Sequence, residues 1–254
     1  MELGEDQQSR IALGRTAVLT DRVVPRALLV VGVVAFFIAG YFGVGLSVDP
    51  SRARDLGTAL DRRIPFIAAS VWVYLWVFPA SLLPLFVVRC PRLFRRTLLA
   101  YGLAIAASLI VFVAFPVTSL ALRADRAALD VTRLSPWAVA LLYRLDPPVN
   151  LFPSLHLSIA GLAALSAWKA RRAYGAAAFV GVALIGASIC TVKQHFVLDG
   201  LGGAALAAIV YAFVLRPYAP KPGTDPAYGW RGPAAYFALL IGVYAGFYAG
   251  FLAA

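Results

Sequence analysis

The stretch Ser188-Ile-Cys-Thr-Val-Lys-Gln-His-Phe-Val-Leu-Asp199 joins two long apolar runs and carries a serine, a lysine, a histidine and an aspartate. Ionisable groups at a membrane edge are costly to bury, so each marks a functional candidate. His195 and Asp199 have the i, i+4 spacing that puts two side chains on one helix face, within reach of a histidine–carboxylate hydrogen bond. Such a carboxylate fixes the tautomer of the ring and leaves the other nitrogen free to act on a substrate. The chain has 2 histidines, and the second, His156, lies in Asn150-Leu-Phe-Pro-Ser-Leu-His156. Each stands at the mouth of an apolar run. With both mouths on one side of the membrane, the rings can converge as a nucleophile and a general acid must.

The elements that position them are membrane helices. The chain has 254 residues, 61% of them hydrophobic, 14% charged, with a mean hydropathy of +0.81. A soluble domain of this length carries far more charge. Apolar runs long enough to span a bilayer cover 27–46, 65–88, 98–117, 154–171, 174–193, 197–215 and 234–253. The first is longer than a signal-peptide core and reads as a retained helix behind an N-terminal tail, residues 1–26. The chain divides into that tail, a six-span catalytic membrane domain over 27–215, and a loop with an added C-terminal span over 216–254. No internal repeat and no soluble second domain is evident.

Basic residues set the orientation. With the N-terminus in the cytoplasm, 14 Lys and Arg lie on the cytoplasmic side and 9 on the other, which favours N-in and C-out. The motifs at 150–156 and 188–199 then face away from the cytoplasm. The net charge of +11 reads as membrane anchoring and excludes nucleic-acid binding, because the basic residues form short clusters between apolar spans. Some attraction to anionic lipid head groups is expected. Cys90 and Cys190 fall at opposite sides, against a disulfide or a metal site built on them.

Residues 118–153 form the longest loop. Ser135-Pro136-Trp137 predicts a helix start with Ser135 as N-cap, and Asp146-Pro147-Pro148 a helix end. The segment between is expected along the membrane surface. Pro79 and Pro84 predict a bend in the second span. Trp72, Trp76 and Trp168 are candidate interface markers, or simply packed residues. Gly242, Gly246 and Gly250 recur every four residues, a spacing that lets helices approach closely. Packing within the chain is the simpler outcome and a homodimer seam the alternative. Gly200, Gly203, Ala204 and Ala207 suit close packing in the same way.

Ser188-x6-His195-x3-Asp199, preceded by Pro153-Ser154-Leu155-His156, resembles the type 2 phosphatidic acid phosphatase (lipid phosphate phosphatase) superfamily. Leu155 stands where that family has a glycine, and Ile189 where it has an arginine. The family's Lys-x6-Arg-Pro motif is missing, since the pair Arg216-Pro217 has Ile209 at the lysine position. Asn-Leu-Phe-Pro-Ser-Leu-His with Lys-Gln-His-Phe-Val-Leu-Asp is similar to the branch that includes inositol phosphorylceramide synthase-like proteins. The resemblance covers roughly residues 110 to 215, and two motifs in order are more specific than either alone. It implies an all-α integral membrane protein, a six-helix bundle of the lipid phosphate phosphatase type plus a seventh C-terminal span, expected in a bacterial inner membrane.

The resemblance further implies a metal-independent phosphatase or phosphotransferase with no cofactor. His195 attacks phosphorus, Asp199 holds the ring, and His156 protonates the leaving oxygen and later activates water or an alcohol. Ser154, Ser188, Lys193 and Arg123 are the expected phosphate-binding groups, with Lys193 replacing the arginine absent at 189 and Arg123 the missing first motif. Ser154 can cap its own helix, the arginines can form a solvated face, and His195–Asp199 can be a structural pair. Head-group transfer to a lipid hydroxyl shares the phospho-enzyme step with hydrolysis. Outside that chemistry, two histidines near one side suit a bis-histidine haem protein, or a transporter with a histidine–aspartate relay.

Overall fold

The computed structural model describes residues 5–219 and 229–254, with side chains of the first helix described from Arg26. Arg10, Arg15, Arg22 and Lys221, which entered the charge count, lie outside the described side chains. The described residues are helical, with only isolated bridges Arg54–Val117 and Val117–Asn150. The helices are α1 (Glu5–Ser47), α2 (Ala59–Arg63), α3 (Val71–Tyr74), α4 (Val77–Val87), α5 (Pro91–Ala114), α6 (Leu134–Leu145), α7 (Leu155–Ala170), α8 (Arg172–Thr191), α9 (Val197–Val210) and α10 (Arg231–Leu252).

Among the described residues 6 helices are long and apolar enough to cross a membrane: Arg26–Ser47, Ala68–Val87, Pro91–Ala114, Arg172–Thr191, Val197–Leu215 and Arg231–Leu252. The last passes with the lowest hydropathy, 1.7. A seventh span is not shown. The run expected at 154–171 is α7, which has 16 residues. At 1.5 Å per residue it is about 24 Å long, short of the roughly 30 Å hydrocarbon core.

This short helix is nonetheless the centre of the bundle, packed against α4, α5, α8 and α9. Its sequence explains why. Ala160, Gly161, Ala163, Ala164 and Ala167 are buried and small, so neighbours approach closely all round. Two seryl hydroxyls on it are satisfied within the protein. Ser158 donates to the carbonyls of Ser154 and Gly203 at 2.8 and 3.1 Å, and Ser166 pairs with Thr97 of α5 at 2.5 Å.

The closest approach is between α9 and the start of α7. A Cβ on Gly203 would lie 2.3 Å from the carbonyl oxygen of Ser154, and one on Gly202 would lie 2.5 Å from the ring of Phe152. Only glycine fits there. Ala207 faces inward one turn on, opposite Gly161, whereas Ala204 is exposed. The inward face of α9 is thus Gly200, Gly203, Ala207 and Val210, three of them among the small residues expected there.

The second span is broken rather than bent. It runs as a 3₁₀ turn over Ala68–Ser70, then α3, then α4. The break at Leu75–Trp76 sits four residues before Pro79, whose ring lacks an N–H and crowds the carbonyl of Leu75. Trp72 and Trp76 act as packed residues here. Their indole N–H groups donate to Ser135 Oγ at 2.9 Å and Tyr236 OH at 2.8 Å. Trp168 is the exposed one, at 40%.

Helix α6 begins at Leu134, so Arg133 and not Ser135 is the N-cap, and Ser135 lies in the first turn with its Oγ accepting from Trp72. It buries Ala138, Val139, Leu142 and Tyr143 and is part of the core rather than a surface helix. It ends at Leu145, directly before the expected Asp146-Pro147-Pro148 break. Helix α10 packs on α4 and α6 through Gly232, Tyr236, Leu240, Tyr244 and Phe247. Its glycine series therefore points elsewhere. A Cβ on Gly242 or Gly246 meets nothing within 4 Å, and one on Gly250 meets the ring of Trp137 at 3.6 Å. Packing within the chain accounts for Gly250 alone of the three. Cys90 and Cys190 are buried and free.

Candidate active site

His156 and His195 enter the bundle at the starts of neighbouring helices, His156 in the first turn of α7 and His195 just before α9. Ser154 is the N-cap of α7, with its Oγ accepting from Leu157 N–H at 3.5 Å, which places His156 in the opening turn. The Phe152–Pro153 peptide bond before it is cis. His195 precedes α9, whose N-cap is Phe196 and whose first turn holds Asp199. A carboxylate there is stabilised by free backbone N–H groups and the positive end of the helix. Asp199 Oδ2 takes the Phe196 N–H at 2.9 Å and His195 Nδ1 at 3.3 Å. The two motifs are tied through the backbone, since Ser154 N–H donates to Asp199 O at 3.0 Å.

The rings meet. His195 Nε2 lies 3.0 Å from His156 Nδ1, with the ring centroids 4.9 Å apart and edge-to-face. The remaining nitrogen, His156 Nε2, is 2.7 Å from Tyr74 OH. Tyr74 OH is in turn 3.3 Å from Asp146 Oδ2. Asp146 also accepts from Tyr41 OH at 2.5 Å on Oδ1 and from Gln194 Nε2 on Oδ2. A continuous polar line thus runs Asp199–His195–His156–Tyr74–Asp146 through otherwise apolar packing. His195 and Asp199 are 2% and 0% exposed, so only a group that enters the bundle can reach them. The histidines are hydrogen-bonded to each other, not turned toward the two faces of a haem.

The groups expected on phosphate are distributed differently. Helix α8 ends at Thr191, and the chain turns through Lys193 at φ 58°, so Ser188 does not continue onto the face of His195. Ser188 Oγ donates to Ile185 O at 2.8 Å within its own helix. Lys193 is buried with its ammonium on the carbonyls of Asp61, at 2.8 Å, and Ile64. Cations suit the C-terminal carbonyls of a helix, here α2. Ser154 is fully buried. Arg123 lies over the Tyr143 ring at 4.9 Å and donates to the carbonyls of Tyr143 and Asp146 at 3.2 and 3.4 Å. Burial pulls its guanidinium below its ordinary pKa, against the pull of Asp146 and Tyr143. Its Nε is buried without a partner.

Two cavities adjoin the line. One, of about 390 Å³, is lined by His156 and Asp146 at its polar end and by Tyr41, Leu155, Ile105 and Phe94 along its length. The other, of about 510 Å³, is lined by Arg123, Arg126, Arg144 and Tyr143. They share Phe42, Leu145 and Asp146.

Tyr41, Tyr74, Asp61, Asp146 and Gln194 were not legible as site residues. Asp61 braces the loop from behind, its Oδ1 accepting the Val197 N–H at 2.8 Å. The available signals were slight: Gln194 adjoins His195, and Asp146 is the acid nearest before His156 in the sequence.

A search of curated proteins and one of solved structures find no match to the chain. A family model described as the PAP2 superfamily matches residues 52–213. That range holds α2 to α9 with both histidines and Asp199, it is well over half of the chain, and on it the chain belongs to the PAP2 superfamily.

Proposed function

We propose that the protein is a membrane lipid phosphatase or phosphotransferase that works through a phosphohistidine on His195 at the extracytoplasmic face. The observation that carries this reading is the His156–His195 pair at 3.0 Å with Asp199 behind it, at the polar end of an apolar cavity. Superfamily membership supports the reaction class, and the excess of Lys and Arg on the N-terminal side supports the orientation.

Asp199 holds the Nδ1 proton of His195 and leaves the Nε2 lone pair facing His156. A phosphoryl group entering between the rings meets Nε2 as nucleophile. His156 Nδ1–H then stands on the leaving oxygen. The P–O bond breaks as the N–P bond forms, and the His156 proton goes to the departing alkoxide. In the second half, His156 Nδ1 takes a proton from water or an alcohol, which attacks phosphorus and releases His195. No step calls for a metal. The groove from His156 past Tyr41, Leu155 and Ile105 to Phe94 suits an acyl or prenyl chain, and its volume of about 390 Å³ lies in the range of small-ligand sites.

Transfer to an alcohol, as in the inositol phosphorylceramide synthase-like branch, is the second reading. The second cavity favours it, because its three arginines, with Asp125 and Asp146, offer room for a second polar head group. In both readings α10 is an addition outside the catalytic unit of 27–215. The deciding experiment gives the purified protein lipid phosphates and phosphodiesters, with and without alcohol acceptors, and reads released phosphate and new lipid products. Phosphate without an acceptor supports hydrolysis, new lipid only with an acceptor supports transfer, and neither product on any substrate sinks both.

A further inference from the structure

We propose that Asp146, acting through Tyr74, is a second carboxylate that serves His156 as Asp199 serves His195. The proposal rests on the reading of His156 as the general acid and base.

Tyr74 OH is 2.7 Å from His156 Nε2 and 3.3 Å from Asp146 Oδ2, so the hydroxyl bridges ring and carboxylate. The Tyr74 ring also packs on the His156 ring, with centroids 5.0 Å apart. Asp146 ends α6, next to Pro147 and Pro148, and gathers donors from three other segments: Tyr41 of α1, Tyr74 of α3 and Gln194 of the turn before His195. All three side chains have a proton to give. An acceptor that takes three donors has the pattern of a carboxylate.

Proton accounting gives the line a direction. To donate from Nδ1 and stay neutral afterwards, His156 must already hold a proton on Nε2. That proton needs an acceptor, and the group at 2.7 Å is Tyr74 Oη. The Tyr74 proton must then point to another acceptor, and Asp146 Oδ2 is the one within reach. The loaded acid therefore reads His156 Nε2–H to Tyr74 Oη, and Tyr74 O–H to Asp146. On the far side, His156 Nδ1–H points to His195 Nε2, and His195 Nδ1–H to Asp199. After His156 gives its Nδ1 proton to the leaving oxygen, the Nε2–H, Tyr74 and Asp146 bonds stay in place. Nδ1 is then a free base for the incoming water or alcohol, and taking that proton restores the starting state. Two carboxylates hold the outer ends of one histidine pair, and the reaction occurs in the middle. Asp146 and Tyr74 are positioning residues in this scheme.

The charged and titratable groups around His156 are Tyr74, Asp146, Tyr41 and Arg123 on one side and His195 with Asp199 on the other. Removing Asp146's charge leaves the His156 imidazolium without its counter-charge. The alkaline limb of the rate profile, where the acid loses its proton, must then move to lower pH.

The test uses Tyr74→Phe, which keeps the ring against His156, and Asp146→Asn, which keeps the shape. Each is assayed on a lipid phosphate with an alkyl leaving group and on a nitrophenyl ester. General acids contribute about 10²–10⁴-fold. With the alkyl leaving group, kcat should fall at least 10-fold at unchanged KM. With the nitrophenyl ester, which needs little protonation, formation of the phospho-enzyme should stay within about 3-fold of wild type. The alkaline limb should move down in Asp146→Asn. Equal losses on both substrates, an unmoved limb, or wild-type rates throughout overturn the proposal. If the wild type itself yields no acid-labile phosphate, the phosphohistidine reading fails and takes this one with it. A labelled wild type with equal losses in Tyr74→Phe sinks this one alone.

Discussion

Gly203 is where α9 comes closest to the start of α7, and a single methyl group there tests whether that spacing sets the site. The added carbon of Gly203→Ala lands 2.3 Å from the carbonyl oxygen of Ser154, and backbone cannot swing aside as a side-chain tip can. Reaching ordinary contact at 3.4 Å asks the two helices to part by about 1 Å, a misplacement of the size that can cost about 100-fold in rate. The proposed reacting groups stand at the mouths of the same two helices. Ser154 N–H to Asp199 O and His156 Nδ1 to His195 Nε2 are both 3.0 Å, so the retreat stretches both. Overpacking costs about 1–3 kcal/mol, against a gain of up to about 1 kcal/mol from alanine's helix propensity. Gly102→Ala in the middle of α5 is the control, because its Cβ meets nothing within 4 Å. It takes the propensity gain without the clash. Thermal midpoints in one detergent and turnover of a lipid phosphate read both effects. Gly203→Ala should lose stability and about 100-fold in activity, while Gly102→Ala should match or exceed the wild type. A Gly203→Ala protein with wild-type midpoint and turnover refutes the claim that α7–α9 contact holds the histidines together.

In a background without Cys90 and Cys190, a cysteine at the exposed position 126 should label from outside intact cells, and one at exposed 92, at the other end of α5, only after permeabilisation; the reverse pattern puts the site in the cytoplasm. Chelator should leave activity largely intact while vanadate, a mimic of five-coordinate phosphorus, inhibits; loss in chelator that magnesium restores contradicts the metal-free mechanism. Asp61 supplies a pH test of the brace behind His195. Burial raises its carboxyl pKa, but hydrogen bonds from Thr58 and Val197 outweigh this and hold it below its ordinary value. A depressed carboxyl contributes stability that is present above its unfolded pKa of about 3.9 and lost as pH falls through the lower folded value. Asp61→Asn should therefore be less stable at neutral pH and decline less steeply in acid, and a thermal-midpoint profile parallel to wild type contradicts the brace.

The helices were legible because apolar length is written in the sequence, and the histidine pair because two spaced motifs frame it. What was not legible depends on packing between distant segments. Lys193 looked like a phosphate ligand from its place near His195, but the left-handed turn at φ 58° aims it at carbonyls of the segment around α2. Asp146 looked like part of a helix stop, and it is one. The role proposed for it depends on Tyr41, Tyr74 and Gln194, which arrive from three other segments. The glycines of α10 suggested a packed seam, yet the aromatic face of that helix does the packing, through Tyr236, Tyr244 and Phe247. The apolar run 154–171 reads as a span, but both of its end residues are caps, Ser154 and Arg171, and the helix between them is Leu155–Ala170.

The central claim is that His195 carries the phosphoryl group and His156 moves the protons. Rapid quenching during turnover of a nitrophenyl ester, with the phosphate located by peptide mapping, tests it directly. The wild type should show acid-labile phosphate on His195, and His195→Ala should show none. In His156→Ala the label should accumulate, because nothing activates the acceptor. Label kept in His195→Ala and lost in His156→Ala would exchange the two roles, and no acid-labile phosphate on the wild type would contradict the account.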